Sequence, residues 1–218
     1  MSNILQIGYT TEGTTDIRFL ENIIRKSFEY AALNCKSQIE VYPPEYLKKE
    51  GDGIVEQVVN MIKKYPFFHV ICIHRDADSP TKEDILKNSI HPAFQAVKKM
   101  DVHVCKNLVP IIPVQMTEAW MLSNIDLLKE KMGTSKSNNE LGLPNKLKAI
   151  ETLSDPKYDI SEALRIAQLN QSKRRKKLTI SQLYSPLSQE LSVDDLLKLP
   201  SYVDFIADIN NSLKQLNY

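Results

Sequence analysis

No apolar run in this chain approaches the roughly 20 residues needed to cross a bilayer, so a membrane is not an expected partner. The three cysteines, Cys35, Cys72 and Cys105, are an odd number, far apart, and lack the paired spacing of a zinc site. Cys72 lies inside a strand-like run and reads as core packing. A net charge of +1 excludes polybasicity of the whole chain, so any nucleic-acid surface must come from local patches. The amino terminus does not show the charged, apolar and cleavage regions of a signal peptide. Residues 3–9 read as a strand instead, and the expected address is the cytoplasm. No Gly-X-X-X-X-Gly-Lys-Ser/Thr phosphate loop is present, which removes a recognisable ATPase. There is no internal repeat and no long low-complexity tract. What remains, 42% apolar and 25% charged over 218 residues, is the composition of a globular protein with one main domain.

The first half alternates strand and helix signals. Residues 4–9 form a short apolar run. Ile17, Leu20, Ile23, Ile24 and Phe28 then recur at helical spacing, behind a Gly13-Thr14-Thr15 turn with Asp16 in the first turn. Residues 38–42 are a second strand candidate, stopped by Pro43-Pro44, and Val55, Val58, Val59 and Ile62 mark a helix between Gly53 and Lys64. Residues 67–73 give the strongest strand signal. A helix from Ser79-Pro80-Thr81 to Met100 is expected, with an interruption at Pro92. The fourth strand, residues 108–114, contains Pro110 and Pro113, as an edge or shortened strand would. Thr117 is then expected to cap a helix carrying Ala119, Trp120, Leu122 and Leu127. Strands separated by helices predict an α/β, mostly parallel sheet flanked by helices. After residue 130 only helices are expected, over residues 144–153, 161–169, 193–199 and 202–216. The chain therefore divides into an α/β core, residues 1–130, and a helical extension, residues 131–218, packed on it.

Four carboxylates each stand just past a strand candidate: Glu12, then Asp76 and Asp78 in His74-Arg75-Asp76-Ala77-Asp78, then Glu118 in Thr117-Glu118-Ala119-Trp120. In a parallel sheet such positions line one edge, the edge where ligands bind. Asp-X-Asp places both carboxylates on one side of its strand. Carboxylates gathered on one edge repel unless protons or cations neutralise them, and hard divalent cations such as Mg2+ prefer oxygen ligands. The residues thus read as a candidate Mg2+ site.

The ordered set of Glu12-Gly13-Thr14-Thr15-Asp16, Asp76-Ala77-Asp78 and Glu118-Ala119-Trp120 resembles the Toprim pattern. It looks like the small stand-alone Toprim-like bacterial proteins related to overcoming-lysogenization-defect nucleases. The resemblance covers about residues 3–125, with a looser likeness in residues 184–213. It implies a Toprim/Rossmann-like core that binds Mg2+ (or Mn2+) and acts on phosphodiester bonds. Glu12 would be general acid/base or metal ligand, Asp76 and Asp78 catalytic metal ligands, and Glu118 a further ligand. Such relatives resemble components of antiviral defence systems paired with a separate ATPase subunit. None of the nine tyrosines stands in a context recognisable as the nucleophile of a topoisomerase.

Lys173, Arg174, Arg175, Lys176 and Lys177 form the one dense basic run, a candidate grip on nucleic-acid phosphates. The alternative for that run is a solvated loop or helix end. His74 reads as structural, Arg75 as a phosphate ligand or a counter-charge to the acidic edge, and Trp120 as core. Arg18 reads as a surface charge. Two functions follow: a metal-dependent nuclease acting on DNA or RNA, or a non-catalytic Toprim-like regulatory or nucleic-acid-binding subunit of a partner ATPase. A phosphatase using Asp-X-Asp is weaker, because there the pair follows the first strand and here the third. Assembly into an oligomer is compatible with either function.

Overall fold

The computed structural model describes residues 3–100, 103–169 and 177–218. The chain adopts the α/β architecture anticipated from the alternation, with every strand pairing parallel. The first strand run is β1 (Asn3–Leu5) and β2 (Ile7–Thr10), broken at Gln6, and β3 (Ile39–Val41) and β4 (Glu45–Tyr46) form the second. β1 pairs with β3 and β2 with β4. The interruption between β3 and β4 falls on Pro43-Pro44, which have no N–H to give a ladder. β5 (Val70–His74) and β6 (Leu108–Ile111) complete a four-stranded sheet of order β4-β2-β5-β6.

That order has a functional consequence. From β2 the chain crosses to β4 on one side. From β5 it crosses to β6 on the other. The carboxyl ends of β2 and β5, which are neighbours, therefore border the point where the winding reverses, the usual place for a ligand crevice.

Both central strands are buried along their whole length, as expected for a parallel sheet covered on two faces. Side chains alternate between two cores. Val70 and Cys72 face one with Leu5, Ile7, Tyr9, Val109 and Ile111. Ile71 and Ile73 face the other. α2 (Gly53–Lys64) and α4 (His91–Lys98) cover the second face with Val58, Met61, Ile62, Ala93 and Val97. α1 (Ile17–Ala32) covers the first with Leu20, Ile23, Ile24 and Phe28, four of its periodic residues, and with Phe19, while Ile17 is only partly buried.

The later helices join that first core. They are α5 (Glu118–Met121), α6 (Ile125–Met132), α7 (Asn138–Leu141), α8 (Pro156–Ala167), α9 (Tyr184–Glu190), α10 (Val193–Leu196) and α11 (Pro200–Gln215). Trp120 is fully buried, its ring edge-on to Tyr202 at 5.1 Å and stacked on Phe205 at 5.9 Å. Its indole N–H donates to Ser201 Oγ at 2.8 Å. Core packing of Trp120 is thus what the structure shows, against α11.

Several boundaries differ from the sequence expectation, each for a local reason. The third strand starts at Val70 rather than residue 67. The helix expected from residue 79 to 100 is α3 (Glu83–Ile85), a π-helical turn (Leu86–Ile90) and α4. Pro92 has no N–H and its ring crowds the carbonyl four residues back; widening the turn accommodates both, with His91 N–H donating to Leu86 O. β6 ends at Ile111, before Pro113. Residues 144–153 form a 3-10 helix over Leu147–Thr152 rather than an α-helix, and α9 falls where no helix was expected. The helix after Thr117 is split: α5 stops at Met121, and Asn124 caps α6 by accepting from Leu127 N–H.

The α9–α10 turn is tied to α6 by Asp195. Burial raises its carboxyl, but bonds from Lys198, Ser192 and Asn124 outweigh this and hold it down at about 2. Because the folded value lies below the usual one, the stabilisation is present above about pH 4 and is lost as pH falls toward 2. Asp195→Asn should cost about 1–2 kcal/mol at neutral pH, and urea melts at falling pH should show the gap to wild type closing through that acid window.

Candidate functional site

The turn after β2 is built by its own side chains. Thr11 Oγ1 donates to Gly13 O at 2.6 Å, and Gly13 N–H donates to Asp16 Oδ2 at 3.0 Å, so Asp16 braces the turn. This turn presents Glu12 to the end of β5. Asp76 N–H donates to Glu12 Oε2 at 3.1 Å, and Arg75 Nε lies 3.0 Å from the same oxygen as an ion pair. On the other flank Lys49, just past β4, donates to Glu12 O at 3.3 Å. Burial draws the Lys49 ammonium below its ordinary range, and Glu12 pulls it back up.

His74 holds the two strand ends together. It is 1% exposed, and its Nδ1 accepts the Glu12 N–H at 3.1 Å. That bond requires Nδ1 to be unprotonated, which places the ring proton on Nε2. Nε2 stands 3.2 Å from Asp76 Oδ1 and 3.1 Å from Thr117 Oγ1. The same Asp76 oxygen accepts from Thr117 N–H at 2.9 Å and from Thr117 Oγ1 at 3.3 Å. All of these bonds converge on Oδ1, and none among the described residues reaches Oδ2. Thr117 occupies the N-cap position of α5 but makes no side-chain cap; its hydroxyl serves His74 and Asp76 instead.

Asp78 sits in the left-handed region, φ 49°, and faces Gln115 at φ 61°. Asp78 N–H donates to Gln115 O at 2.9 Å and Gln115 N–H to Ser79 O at 3.1 Å, so two strained residues lock the Asp-X-Asp loop to the segment after β6. Burial, then the charges of Glu12 and Asp76, push the Asp78 carboxyl above its usual range, with Arg75 opposing. Glu118 is 3% exposed; Tyr184 donates its hydroxyl to Glu118 Oε1, and Lys157 Nζ lies 3.4 Å from the same atom. Burial and the bond to Glu118 raise the Tyr184 phenol.

Asp16, which carries no metal role in the sequence reading, lies between these carboxylates. Burial raises its carboxyl first, and the charges of Asp76 and Glu118 raise it further, against the bond from Gly13. Ligand atoms of Asp16, His74 and Asp76 all lie within 4.8 Å of one another, a group that could hold a metal ion.

Of the residues singled out from sequence, Glu12 and Asp76 are in direct contact, Asp78 lies close enough to feel the charge of both, and Glu118 close enough to act on Asp16. The compact group takes only Asp76 from that set and adds Asp16 and His74. Asp16 was legible in principle, four residues after Glu12. Lys49 and Lys157 carried no signal, because nothing in their sequence neighbourhoods joins them to the acidic motifs, and Tyr184 stood only at the start of the looser likeness over residues 184–213. Of the basic run, Lys173, Arg174, Arg175 and Lys176 lie outside the described residues, and Lys177 is exposed. Lys177 precedes Leu178, which bonds Gln168 just past the carboxyl end of α8. Lys157, at the opposite end of α8, is the cation that meets Glu118. Compared with protein-family models, with curated proteins and with solved structures, the chain matches none.

Because the folded Asp16 carboxyl is raised above its unfolded value, its charge opposes folding at neutral pH and the cost fades as pH falls through its pKa. Asp16→Asn keeps an acceptor for Gly13. In metal-free buffer near pH 7 it should raise the thermal midpoint by about 2–4 °C, and differential scanning should show that gain disappearing in acid.

Proposed function

We propose that this chain is a Mg2+-dependent, Toprim-type nuclease that hydrolyses phosphodiester bonds in DNA or RNA. The observation that carries the reading is the contact between Glu12 and the Asp76 amide across the β2–β5 switch point, with Asp16, Asp78 and Glu118 around it. Five carboxylates gather there against the cations Lys49, Arg75 and Lys157. A divalent cation would offset that surplus.

The donor set fits a hard metal. Asp16, Asp76, Asp78 and Glu12 offer oxygen, whereas the one nitrogen lone pair at the centre, His74 Nδ1, is committed to the Glu12 amide. Asp76 would present its unbonded Oδ2, with Asp16 and Asp78 as companions. When bound, Mg2+ or Mn2+ supplies Lewis acidity toward a phosphodiester oxygen and lowers the pKa of water. Glu12, whose side chain at 34% exposed is more accessible than those of Asp16, Asp76 and Glu118, takes the proton of the attacking water. Arg75 and Lys49 orient the scissile phosphate. Glu118, already met by Tyr184 and Lys157, acts as a positioning group and an outer ligand. The Toprim-like resemblance implies a role as effector beside a separate ATPase in antiviral defence.

Labelled DNA and RNA panels incubated with Mg2+, Mn2+ or chelator test the reading. Metal-dependent cleavage should fall about a hundredfold or more in Asp76→Asn, and calorimetric Mg2+ binding should weaken with it. Mg2+ binding without any cleavage would favour the regulatory-subunit function. Equal heats in wild type and Asp76→Asn would remove the metal site itself.

A further inference from the structure

A second feature lies on the far side of the sheet. Among the described residues, β6 has a strand neighbour on one side only. Ile71 and Arg75 donate to the carbonyls of Asn107 and Ile111. By the alternation of a parallel ladder, the backbone groups of Leu108, Pro110 and Ile112 therefore face the open side. They floor a cavity of about 340 Å3, walled by α4 and its preceding π turn on one side and by α11 on the other. The volume is that of a small-molecule site, and Leu86, Phe94 and Phe205 give it an apolar body.

Its polar lining is weighted toward acceptors, with Lys82, His91 and Ser201 as the other polar residues. Pro110 has no N–H, so carbonyls outnumber donors along the floor. Asp204 and Asp208, one turn apart on α11, add two carboxylates. Lys82 shows what these groups accept: its ammonium reaches Asp204 Oδ2 at 2.5 Å. Asp208, half-buried, has no hydrogen bond or ion pair among the described residues. Burial and the neighbouring Asp204 push its carboxyl above the usual range, with Lys82 pulling the other way.

We propose that this cavity binds a small organic cation, a primary ammonium or guanidinium on an apolar body, with its head on Asp208 and its body against Phe94 and Phe205 over the β6 edge. An anion would meet the floor carbonyls and two carboxylates, while the lysine of the lining, Lys82, is already committed to Asp204. An added peptide strand would find no donor at Pro110, in the middle of the edge. The cavity is separate from the Glu12–Asp76 edge and its occupancy does not depend on metal.

The test is an NMR titration of the full chain in chelator, with phenethylamine as probe and 2-phenylethanol as its neutral counterpart. Phenethylamine should give saturable shifts at the amides of Leu108, Ile112 and Asp208, and bind about tenfold or more tighter than the alcohol. Asp208→Asn should erase that preference. Lys82→Met, which frees Asp204, should strengthen amine binding severalfold, and thermal melts check that both variants fold. Equal affinity for amine and alcohol, unchanged amine binding in either folded variant, or no saturable shift up to about 10 mM amine would overturn the proposal.

Discussion

One buried imidazole ties the candidate site together. β2 and β5 are parallel neighbours, so their carboxyl ends meet, but adjacency alone would leave two loops free to drift. His74 closes the gap by accepting the Glu12 amide on Nδ1 and presenting Nε2 to Asp76. Asp76 in turn gives its own amide to Glu12. Each strand end therefore holds the other: the bonds at His74 are sheltered by its burial and correspondingly strong, while the Asp76–Glu12 bond lies at the exposed rim. A buried polar group of this kind is costly unless fully partnered, and both ring nitrogens of His74 have partners.

The rest of the structure supports a site that is unfavourable in itself. Carboxylates that are buried, and close together, oppose folding: burial first and neighbouring acids second raise the Asp16 and Asp78 carboxyls. Two left-handed residues, Asp78 and Gln115, add backbone cost at the same place. The offset comes from the first core, where Trp120, Tyr202 and Phe205 pack beneath α5 and hold Thr117 and Glu118 in position. The later helices also reach the site directly: Lys157 from α8 and Tyr184 from α9 meet on Glu118. The helical half of the chain thus contributes charge and hydrogen bonds to an edge that the sheet alone would leave with an acidic surplus.

Open edges divide the molecule's surfaces by chemistry. The carboxyl edge of the sheet gathers acids with a few interspersed cations, an arrangement suited to a metal and a phosphate. The lateral edge at β6 gathers carbonyls and carboxylates beside apolar side chains, an arrangement suited to an organic cation. Pro110 lies in that lateral edge and discourages strand addition there.

Much of the fold was written locally. Strand and helix periods, the Pro43-Pro44 break and the Asp-X-Asp and Glu-Gly turns all act within a few residues, so sequence by itself determined the parallel α/β class and the strand ends at which Glu12, Asp76 and Asp78 stand. Thr117 illustrates the limit: its position predicted a cap, yet its hydroxyl found better partners in His74 and Asp76, residues more than 40 positions away. Asp16 became part of the acidic group only because burial and the charges of Asp76 and Glu118 converge on it. Lys49, Lys157 and Tyr184 joined the site through strand order and helix docking. Hydrogen bonds and Coulomb forces act over ångströms of space, not positions in the chain. Which charges face one another was therefore decided only when the sheet and its helices closed.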